Sequence, residues 1–469
     1  MALSRVSSLA LTLVLAGLIV AVAASLIGDG AFADMAATAG RILFGALCLI
    51  GLPICTLRER LLLVGALALA ASALFIWPPA QPVVADALDL GAFFGAFIVA
   101  LTMVKEAAVR SRSVLKVGRY LITRPPGRRY FTVAIGGHVL GAFLNFGAVS
   151  LLAPMIQNGA RDAQGNIDPD LERRQIAALI RGFSWILLWA PTTLTQAVLL
   201  TLFTEVDYRL LVTAGILTSV FFIVLGRVVD RFEWRNSPAA NAPNAAPPTE
   251  MPGQALTMVS LICGTLISGT FVLMGLSGYS VAQALLFTAP LVTIVWLVLQ
   301  GGWPVGPAVL ARRLAAIGPI MLAGTPALAR SGIALGLSGF IGRTAAKVLP
   351  MDVIAAQMDL AAMPCWLFLA LLPVVITLSG QIALSPILVV VFLGEVLNSM
   401  PMLPATPTQI VFALSAGWSL SMTASPNATA TLLISSTCGI PPTTLTWRWN
   451  GRYALICYAA LVAIFVATC

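Results

Sequence analysis

The sequence contains an internal repeat, in which two similar segments lie 235 positions apart. Gly182-Phe183-Ser184, six further residues and Pro191 return as Gly417-Trp418-Ser419, six further residues and Pro426. Each copy lies in an apolar stretch and combines a proline with small polar residues. Paired apolar helices interrupted in this way are typical of membrane proteins in which two related halves enclose a site at mid-membrane depth.

The composition excludes a soluble fold. Hydrophobic residues make up 59% and charged residues 10% of the 469 residues, and the mean hydropathy is +0.96. Such a chain exposes too much apolar surface for water and belongs in a lipid bilayer. The net charge of +9 does not indicate nucleic-acid binding, because the basic residues lie in short loops between apolar runs.

The seven cysteines show no metal-binding or disulfide pattern. Cys48, Cys263 and Cys457 lie inside apolar runs, and the sequence has neither a CxxC pair nor a His/Cys cluster. This argues against a metal site and against a disulfide framework. We expect these cysteines to be small core residues.

The first apolar run has two interpretations. Arg5, the apolar run and Ala21-Val22-Ala23 fit a signal peptide with its cleavage site, whereas Leu9 to Ile27 is long enough for a retained span. We favour the span. The basic residues Arg5, Arg58 and Arg60 then lie on the cytoplasmic side. We therefore expect a cytoplasmic N-terminus and an inner (plasma) membrane of the bacterial type.

The run from 131 to 157 is predicted to be a re-entrant hairpin. It is interrupted at Asn145-Phe146-Gly147, it follows a basic interfacial helix between Lys105 and Arg129, and a charged loop comes after it. If both flanks are cytoplasmic, each arm of about a dozen residues is too short to span alone. A single spanning helix is the alternative.

These patterns predict an all-α polytopic membrane protein with two inverted-topology repeats. Each repeat has a re-entrant hairpin and a broken helix, and one extra N-terminal helix precedes them. The segments are an extra helix at 1–37, a first repeat at 38–230 with its hairpin at 131–157 and broken helix at 174–203, a cytoplasmic disordered linker at 231–254, and a second repeat at 255–469 with its hairpin at 364–393 and broken helix at 406–436.

The two prolines are predicted to interrupt their helices. A proline within a span frees backbone carbonyls, which protein, water or ligand must satisfy. We expect Pro191 and Pro426 to begin new half-helices, with Ser425 as an N-cap. The half-helix N-termini favour anions, and nearby side-chain oxygens favour Na⁺. Two ordinary proline kinks are the alternative. The predicted oxygen-bearing residues here are Ser184, Thr192, Thr193, Ser419, Asn427 and Thr429.

The hairpin tips are expected to complete the binding site. Asn145, Phe146 and Gly147 form one tip, and Ser379-Gly380-Gln381 form the other. Buried polar groups at mid-membrane depth cost several kcal/mol unless they have partners, so these residues are candidate ligands of a solute and of Na⁺. Close helix packing is the alternative explanation for Gly147.

A few ionisable residues lie inside apolar runs. Arg181 either attracts an anion or extends to the membrane surface. Arg330 is expected to pair with an acid, for which Asp89 is a candidate, and Glu395 is a further intramembrane charge. His138 is interpreted as a helix-contact residue, with a proton relay as the alternative.

The order of elements resembles the ion transporter superfamily, which includes divalent anion/Na⁺ symporters, citrate carriers and arsenite permeases. The resemblance rests on residues 141–145, on Ala153-Pro154, on the Asn of Leu144-Asn145-Phe146 and on the Ser of Ser379-Gly380-Gln381. Carboxylate-transporting members carry Ser-Asn-Thr at these tips. The resemblance implies a homodimer with a scaffold domain, and a transport domain of hairpins and broken helices that moves like an elevator.

The function predicted from the sequence is secondary active transport of a small anionic solute, a carboxylate or an oxyanion, coupled to Na⁺ or H⁺. We expect no other cofactor, no nucleic-acid partner and no enzymatic activity; the expected partners are the solute, the lipid bilayer and a second copy of the chain. An integral-membrane enzyme acting on a lipid-linked substrate needs a cluster of ionisable groups that the sequence does not offer. A channel is disfavoured by two broken-helix sites.

Overall fold

The chain is helical throughout the part that the structure describes. The structure is a computed structural model that describes residues 5–76, 80–162, 164–235, 250–299, 306–349, 360–384, 386–400 and 402–469. Within these ranges every regular element is a helix, and one isolated β-bridge joins Arg161 to Ile167. The prediction of an all-α polytopic membrane protein is confirmed.

The residues that the structure describes form eighteen α-helices. In chain order they are α1 (Arg5–Ile27), α2 (Gly30–Gly51), α3 (Leu57–Ile76), α4 (Ala80–Val109), α5 (Arg112–Ile122), α6 (Pro126–Leu144), α7 (Phe146–Gly159), α8 (Pro169–Phe183), α9 (Leu194–Leu202), α10 (Tyr208–Glu233), α11 (Gly253–Ser277), α12 (Val281–Leu299), α13 (Pro307–Val348), α14 (Cys365–Gln381), α15 (Pro386–Ser399), α16 (Pro407–Ala424), α17 (Thr429–Cys438) and α18 (Gly451–Thr468).

Seven of the described helices are long and apolar enough to cross a membrane. They are α1, α2, α4, α10, α11, α12 and α18. Helix α13 has 42 residues and is therefore about 63 Å long, about twice the length that crosses a bilayer. Most of the predicted linker at 231–254 lies outside the described residues.

The helices form two compact units that cut across the two sequence halves. Unit 1 comprises Met1–Ala107, Gly264–Met358 and Ile387–Pro401, and unit 2 comprises Ala108–Cys263, Asp359–Pro386 and Met402–Cys469. In unit 1, α13 packs against α1, α2 and α3. Phe44 of α2 fills the space beside Gly91 and Gly336, where a Cβ on Gly336 would collide with its ring. Small residues let these helices approach closely, as is common in membrane bundles.

In unit 2, α6 and α7 form a helical hairpin with its tip at Asn145. Both arms pack against the short helix α5: Gly136 of α6 faces Leu121, and Gly118 of α5 faces Met155 of α7. Because residues about ten positions on either side of Asn145 reach the same short helix, the chain turns back at the tip. The run is therefore not the single spanning helix that the sequence left as an alternative.

The two helices at the second predicted hairpin fall in different units. Helix α14 packs against α16 and α18 within unit 2. Helix α15 belongs to unit 1 from Ile387 onward, where Val391 lies against Gly342 of α13. The re-entrant hairpin at 364–393 stays a prediction.

The structure contains one disulfide bond, which corrects the sequence analysis. Cys365 at the start of α14 is bonded to Cys469, directly after α18, with a Cα–Cα distance of 5.8 Å. The two cysteines are 104 positions apart, so no short spacing motif could reveal the pair. Cys48, Cys263 and Cys457 are free and buried, as expected.

Candidate functional site

The first broken helix consists of α8, a 3₁₀ turn and α9. The Asp168 carboxylate caps α8 by accepting hydrogen bonds from the backbone N–H groups of Asp170 and Leu171, and Pro169 occupies the first turn, where proline is favoured. Helix α8 ends at Phe183, a 3₁₀ turn covers Ser184–Leu188, and α9 starts at Leu194. The chain is thus interrupted near Pro191, and the interruption is more than a proline kink.

The second broken helix consists of α16 and α17. A capping box starts α16, in which Thr406 and Gln409 exchange side-chain and backbone hydrogen bonds. Helix α16 ends at Ala424 and α17 starts at Thr429. Both interruptions that the repeat predicted are therefore present.

The new half-helices begin three residues later than predicted. Thr193 and Ala428 are the N-caps, both with extended backbone, whereas Pro191 and Pro426 lie within the non-helical segments. Ser425 is the C-cap of α16, and its hydroxyl accepts a hydrogen bond from the Asn427 N–H. The prediction that Ser425 caps a helix beginning at Pro426 is wrong, because the two residues after each proline keep an extended or turn conformation.

Each second half-helix satisfies a carbonyl that the interruption frees. The Gln196 side-chain amide donates to the Leu187 carbonyl at 2.7 Å, and the Thr431 hydroxyl lies 3.5 Å from the Met422 carbonyl. Both members of the second pair are displaced by 235 positions from the first. The two repeats therefore also match in the hydrogen bond that joins the second half-helix to the segment before each break.

The same symmetry relates the hairpin arms to the breaks. The Thr192 hydroxyl donates to the Ala142 carbonyl near the end of α6. Its repeat counterpart, Asn427, donates through Nδ2 to the carbonyls of Gly380 and Gln381, at 3.0 and 3.3 Å. Each non-helical segment is therefore held against the end of the helix that leads into a tip.

Two further hydrogen bonds join the second tip to the second break. The Ser425 hydroxyl donates to the Gly380 carbonyl at 2.7 Å, and Gln381 Nε2 donates to the Ala424 carbonyl at 3.1 Å. A Cβ on Gly380 would lie 2.8 Å from Ser425 Oγ, so only glycine allows this close approach. The structure thus brings Gly380, Gln381, Ser425 and Asn427 together, as the sequence predicted.

His138 joins the first hairpin to the first break. Its Nδ1 lies 2.9 Å from the Gly182 carbonyl, and its Nε2 accepts a hydrogen bond from Trp189 Nε1 at 3.0 Å. These contacts fit a neutral imidazole that donates through Nδ1. Gly182 itself packs so closely on α6 that a Cβ would collide with the Ala134 carbonyl. His138 is a helix-contact residue, as expected.

The first hairpin reaches the second break through α7 and α17, which pack against each other. Near the C-terminal end of α7, Gln157 donates to the carbonyl of Cys438, the last residue of α17, at 2.8 Å. Helices that pack along their length and meet at their C-termini run parallel. Their N-termini, at Asn145 and Thr429, therefore lie at the same end, and no side chain caps either of them.

Asn145 has an unusual backbone and an unpaired side chain. Its φ of 51° lies in a region that non-glycine residues rarely adopt and that costs about 1–3 kcal/mol. Its Oδ1 is buried without a hydrogen-bond partner in the described structure. A strained residue with a free buried acceptor at a hairpin tip is a candidate ligand-binding residue.

Further buried polar atoms near the breaks are also unpaired within the described residues. Burying such atoms costs about 1–3 kcal/mol each unless a ligand or water pairs with them. None belongs to a charged side chain, so the site offers neutral oxygens and an indole N–H. These atoms are Thr195 Oγ1, Gln196 Oε1, Thr377 Oγ1, Trp418 Nε1, Ser419 Oγ and Ser421 Oγ.

The remaining predicted site residues have local roles. The hydroxyls of Ser184, Thr193 and Ser379 donate to backbone carbonyls within their own turns, at 2.7, 2.7 and 2.8 Å, which leaves their lone pairs available as acceptors. The Phe146 ring lies against Phe183, with ring centroids 5.5 Å apart. Gly147, Pro191 and Pro426 are buried.

Arg181 neither faces an anion site nor extends to the surface. Its side chain is 1% exposed and donates to Asn450 Oδ1 at 2.9 Å and to the Trp449 carbonyl at 3.0 Å. Glu233 neutralises its charge at 3.3 Å, and the guanidinium lies over the Tyr453 ring. Arg181 therefore ties α8 to α10 and to the start of α18.

Asp89 and Glu395 also pair with partners that the sequence did not identify. Asp89 binds Arg41 at 2.7 Å instead of Arg330, and Arg330 is exposed. Glu395 pairs with Arg343 at 2.6 Å. Since the partners are far apart in sequence, helix packing decides these pairs.

Sequence reasoning missed Thr195, Gln196, Thr377, Trp418, Ser421 and Thr431. Gln196 and Thr431 carry a usable signal, because both are polar and stand at matching positions of the repeat. The others have no polar counterpart at the same displacement. Only the packing around the breaks shows that they are buried there.

The fold and the site define a class: an α-helical polytopic membrane protein whose broken helices enclose polar groups, an architecture used by membrane transporters.

No family model and no curated protein matches the chain. Among solved structures, the YdaH transporter of Alcanivorax borkumensis is similar, with 15% identity, a TM-score of 0.53, and coverage of 91% of this chain and 97% of that chain. MtrF of Neisseria gonorrhoeae, described within a class of antimetabolite efflux pumps, has 12% identity, a TM-score of 0.50, and coverage of 88% and 95%.

These likenesses establish the fold of the chain. One of the two proteins is described as a transporter and the other within a class of efflux pumps. The narrower resemblance to the ion transporter superfamily is not confirmed by any family model.

Proposed function

We propose that the chain is a secondary active transporter that moves a small anionic solute, a carboxylate or an oxyanion, coupled to Na⁺. The observation that carries this proposal is that the packed helices α7 and α17 present uncapped N-termini at the same end, in a chain whose first tip and two breaks hold unpaired buried oxygens. Fold similarity to two transporters supports it.

The anionic solute is inferred from the backbone. The N-terminus of a helix presents unsatisfied N–H groups and a partial positive charge, which together bind carboxylates and oxyanions. Thr193 caps α9, whereas α7 and α17 have no side-chain cap. We place the anionic group of the solute at these two N-termini, with Asn145 and Asn427 on either side.

Sodium is preferred over a proton as the coupling ion because of the side chains at the breaks. Asn145 Oδ1, Gln196 Oε1 and Ser419 Oγ are neutral oxygens, the type of ligand that hard cations take. The described residues contain no group of three or more His, Cys, Asp or Glu side chains suited to a metal ion, and the described carboxylates near the breaks, Glu233 and Asp230, are paired with arginines. Coupling to H⁺ is the competing reading.

The wider proposal follows the sequence analysis. It includes a bacterial-type inner membrane, a cytoplasmic N-terminus, a homodimer, and an elevator-type movement taken from the family resemblance. Unit 2 contains the first hairpin and both broken helices, and it is the part we propose to carry the solute.

A thermal-unfolding screen of the purified protein tests the site. Mono-, di- and tricarboxylates, oxyanions, aromatic acids and antimetabolites are added with and without Na⁺, and we expect at least one anion to raise the melting temperature only with Na⁺. Asn145→Ala and Asn427→Ala should each remove most of that increase, because each deletes a polar group at the shared end.

Asn158→Ala is the matched control, since Asn158 is exposed at the far end of the same hairpin, and it should bind as the wild type does. Full stabilisation in both pocket variants would overturn the site. Stabilisation that depends on pH and not on Na⁺ would assign the coupling to protons.

A further inference from the structure

A groove of about 490 Å³ lies on unit 2 between α14, α16 and α18. It extends along α14 from Val374 to Gln381, a length of about 10 Å at 1.5 Å per residue. Its walls are mainly apolar. At one end the groove reaches Gln381 and Ala424, the two residues whose hydrogen bond joins the second tip to the second break.

The groove opens onto a surface that faces the bilayer. Leu378 and Leu455 line it and are 59% and 72% exposed on the isolated chain. Leu455 belongs to α18, one of the described helices long and apolar enough to span the membrane. Large apolar side chains on the outside of such a helix contact lipid tails, so an acyl chain is the natural occupant of the groove.

The polar end of the groove has the chemistry of a headgroup site. Arg452 lines it, is exposed, and forms no ion pair with any residue that the structure describes. Trp447 is 58% exposed, and its indole N–H donates to Gln381 Oε1 at 3.1 Å. Tryptophan and arginine together mark the membrane–water interface, and an arginine in a groove beside a spanning helix attracts anionic lipid headgroups.

We propose that this groove is a binding site for an anionic phospholipid, with an acyl chain between Leu378 and Leu455 and the phosphate at Arg452. The basic end of α18 lies on the side assigned to the cytoplasm, where anionic lipids are enriched. Because Gln381 is bonded to Trp447, the second tip lies nearer the headgroups than the mid-membrane depth expected from the sequence. A lipid seated here contacts Gln381 and so stabilises the second tip against its break. The proposal does not depend on which solute is carried.

The test measures thermal unfolding of delipidated protein in detergent after addition of phosphatidylglycerol or phosphatidylcholine, with retained lipid counted by native mass spectrometry. We expect phosphatidylglycerol to raise the melting temperature more than phosphatidylcholine does. Arg452→Gln should weaken phosphatidylglycerol binding about fivefold, since an arginine at the surface contributes about 1 kcal/mol toward an anionic lipid. Leu378→Trp, which fills the groove, should reduce the binding of both lipids.

Two nearby residues serve as matched controls. Arg448 lies close to Arg452 in sequence and Ile382 is an exposed apolar residue after α14, but neither lines the groove. Arg448→Gln and Ile382→Trp should therefore bind lipid as the wild type does. Equal effects of Arg452→Gln and Arg448→Gln, equal stabilisation by the two lipids, or displacement of lipid by the transported anion would each overturn the lipid assignment.

Discussion

The contacts of His138 decide between a structural role and a role in proton transfer. Both ring nitrogens are engaged, one with the Gly182 carbonyl and one with the Trp189 indole. A histidine used in this way holds two elements together and has no free nitrogen to relay a proton.

Replacing His138 by phenylalanine should destabilise the protein without changing how transport depends on pH. The change leaves the buried Gly182 carbonyl and the Trp189 N–H without partners, which costs about 1–3 kcal/mol for each group. Thermal unfolding measures the loss. Thr132→Ala, at a partly exposed position of the same helix where the hydroxyl bonds to the Arg128 carbonyl of its own helix, should stay within about 0.5 kcal/mol of the wild type. Unchanged stability together with a lost pH response would instead make His138 a proton relay.

At the residue scale, the sequence indicated candidate site residues only at repeated positions or where a proline or an amide interrupts an apolar run. Pro191, Pro426, Asn145 and Asn427 were found because prolines and amides are rare inside apolar runs. The partners of Arg181 and Asp89 were not found, because ion pairs between distant segments depend on packing that no local pattern encodes. The exact start of a half-helix was missed for a related reason, since the extended residues after each proline are set by contacts with the hairpin ends.

At the scale of elements, the disulfide and the basic residues at the start of α18 together predict the orientation of the chain in the membrane. Helix α18 has 18 residues and is about 27 Å long, so its ends lie near opposite membrane surfaces. Arg448 and Arg452 mark the cytoplasmic end, and Cys469 at the other end is bonded to Cys365. Disulfides form in oxidising compartments outside the cytoplasm, so the disulfide and the basic residues both predict that α18 starts on the cytoplasmic side.

Thiol labelling in intact cells tests this orientation. After mild reduction, a membrane-impermeant maleimide should label Cys365 and Cys469 in cells whose inner membrane is intact. Cys438, a free and partly exposed thiol at the end of α17, is the control and should react only after permeabilisation. Labelling of Cys438 before the Cys365–Cys469 pair would reverse the orientation.

At the scale of the whole molecule, the order of elements was predictable and their grouping was not. The repeat predicted a hairpin and a broken helix in each half. The first helical hairpin and both broken helices are present in the described helices, and the second hairpin stays a prediction. The division into two compact units that mix both halves depends on contacts between distant helices. The length of α13 is not predictable from charge, because basic residues favour the ends of a span, whereas Arg312, Arg313 and Arg343 all fall within one continuous helix.

Uptake into proteoliposomes tests the central claim most directly. Purified protein is reconstituted, a Na⁺ gradient is imposed, and accumulation of the stabilising anion is followed for the wild type, Asn145→Ala, Asn427→Ala and Asn158→Ala. We expect saturable, concentrative and Na⁺-dependent accumulation in the wild type and in Asn158→Ala, and a loss of at least tenfold in the two pocket variants, the effect of about 1.4 kcal/mol of lost binding. Accumulation that never exceeds the outside concentration, or that persists unchanged in both pocket variants, would contradict a coupled transporter built around the paired breaks.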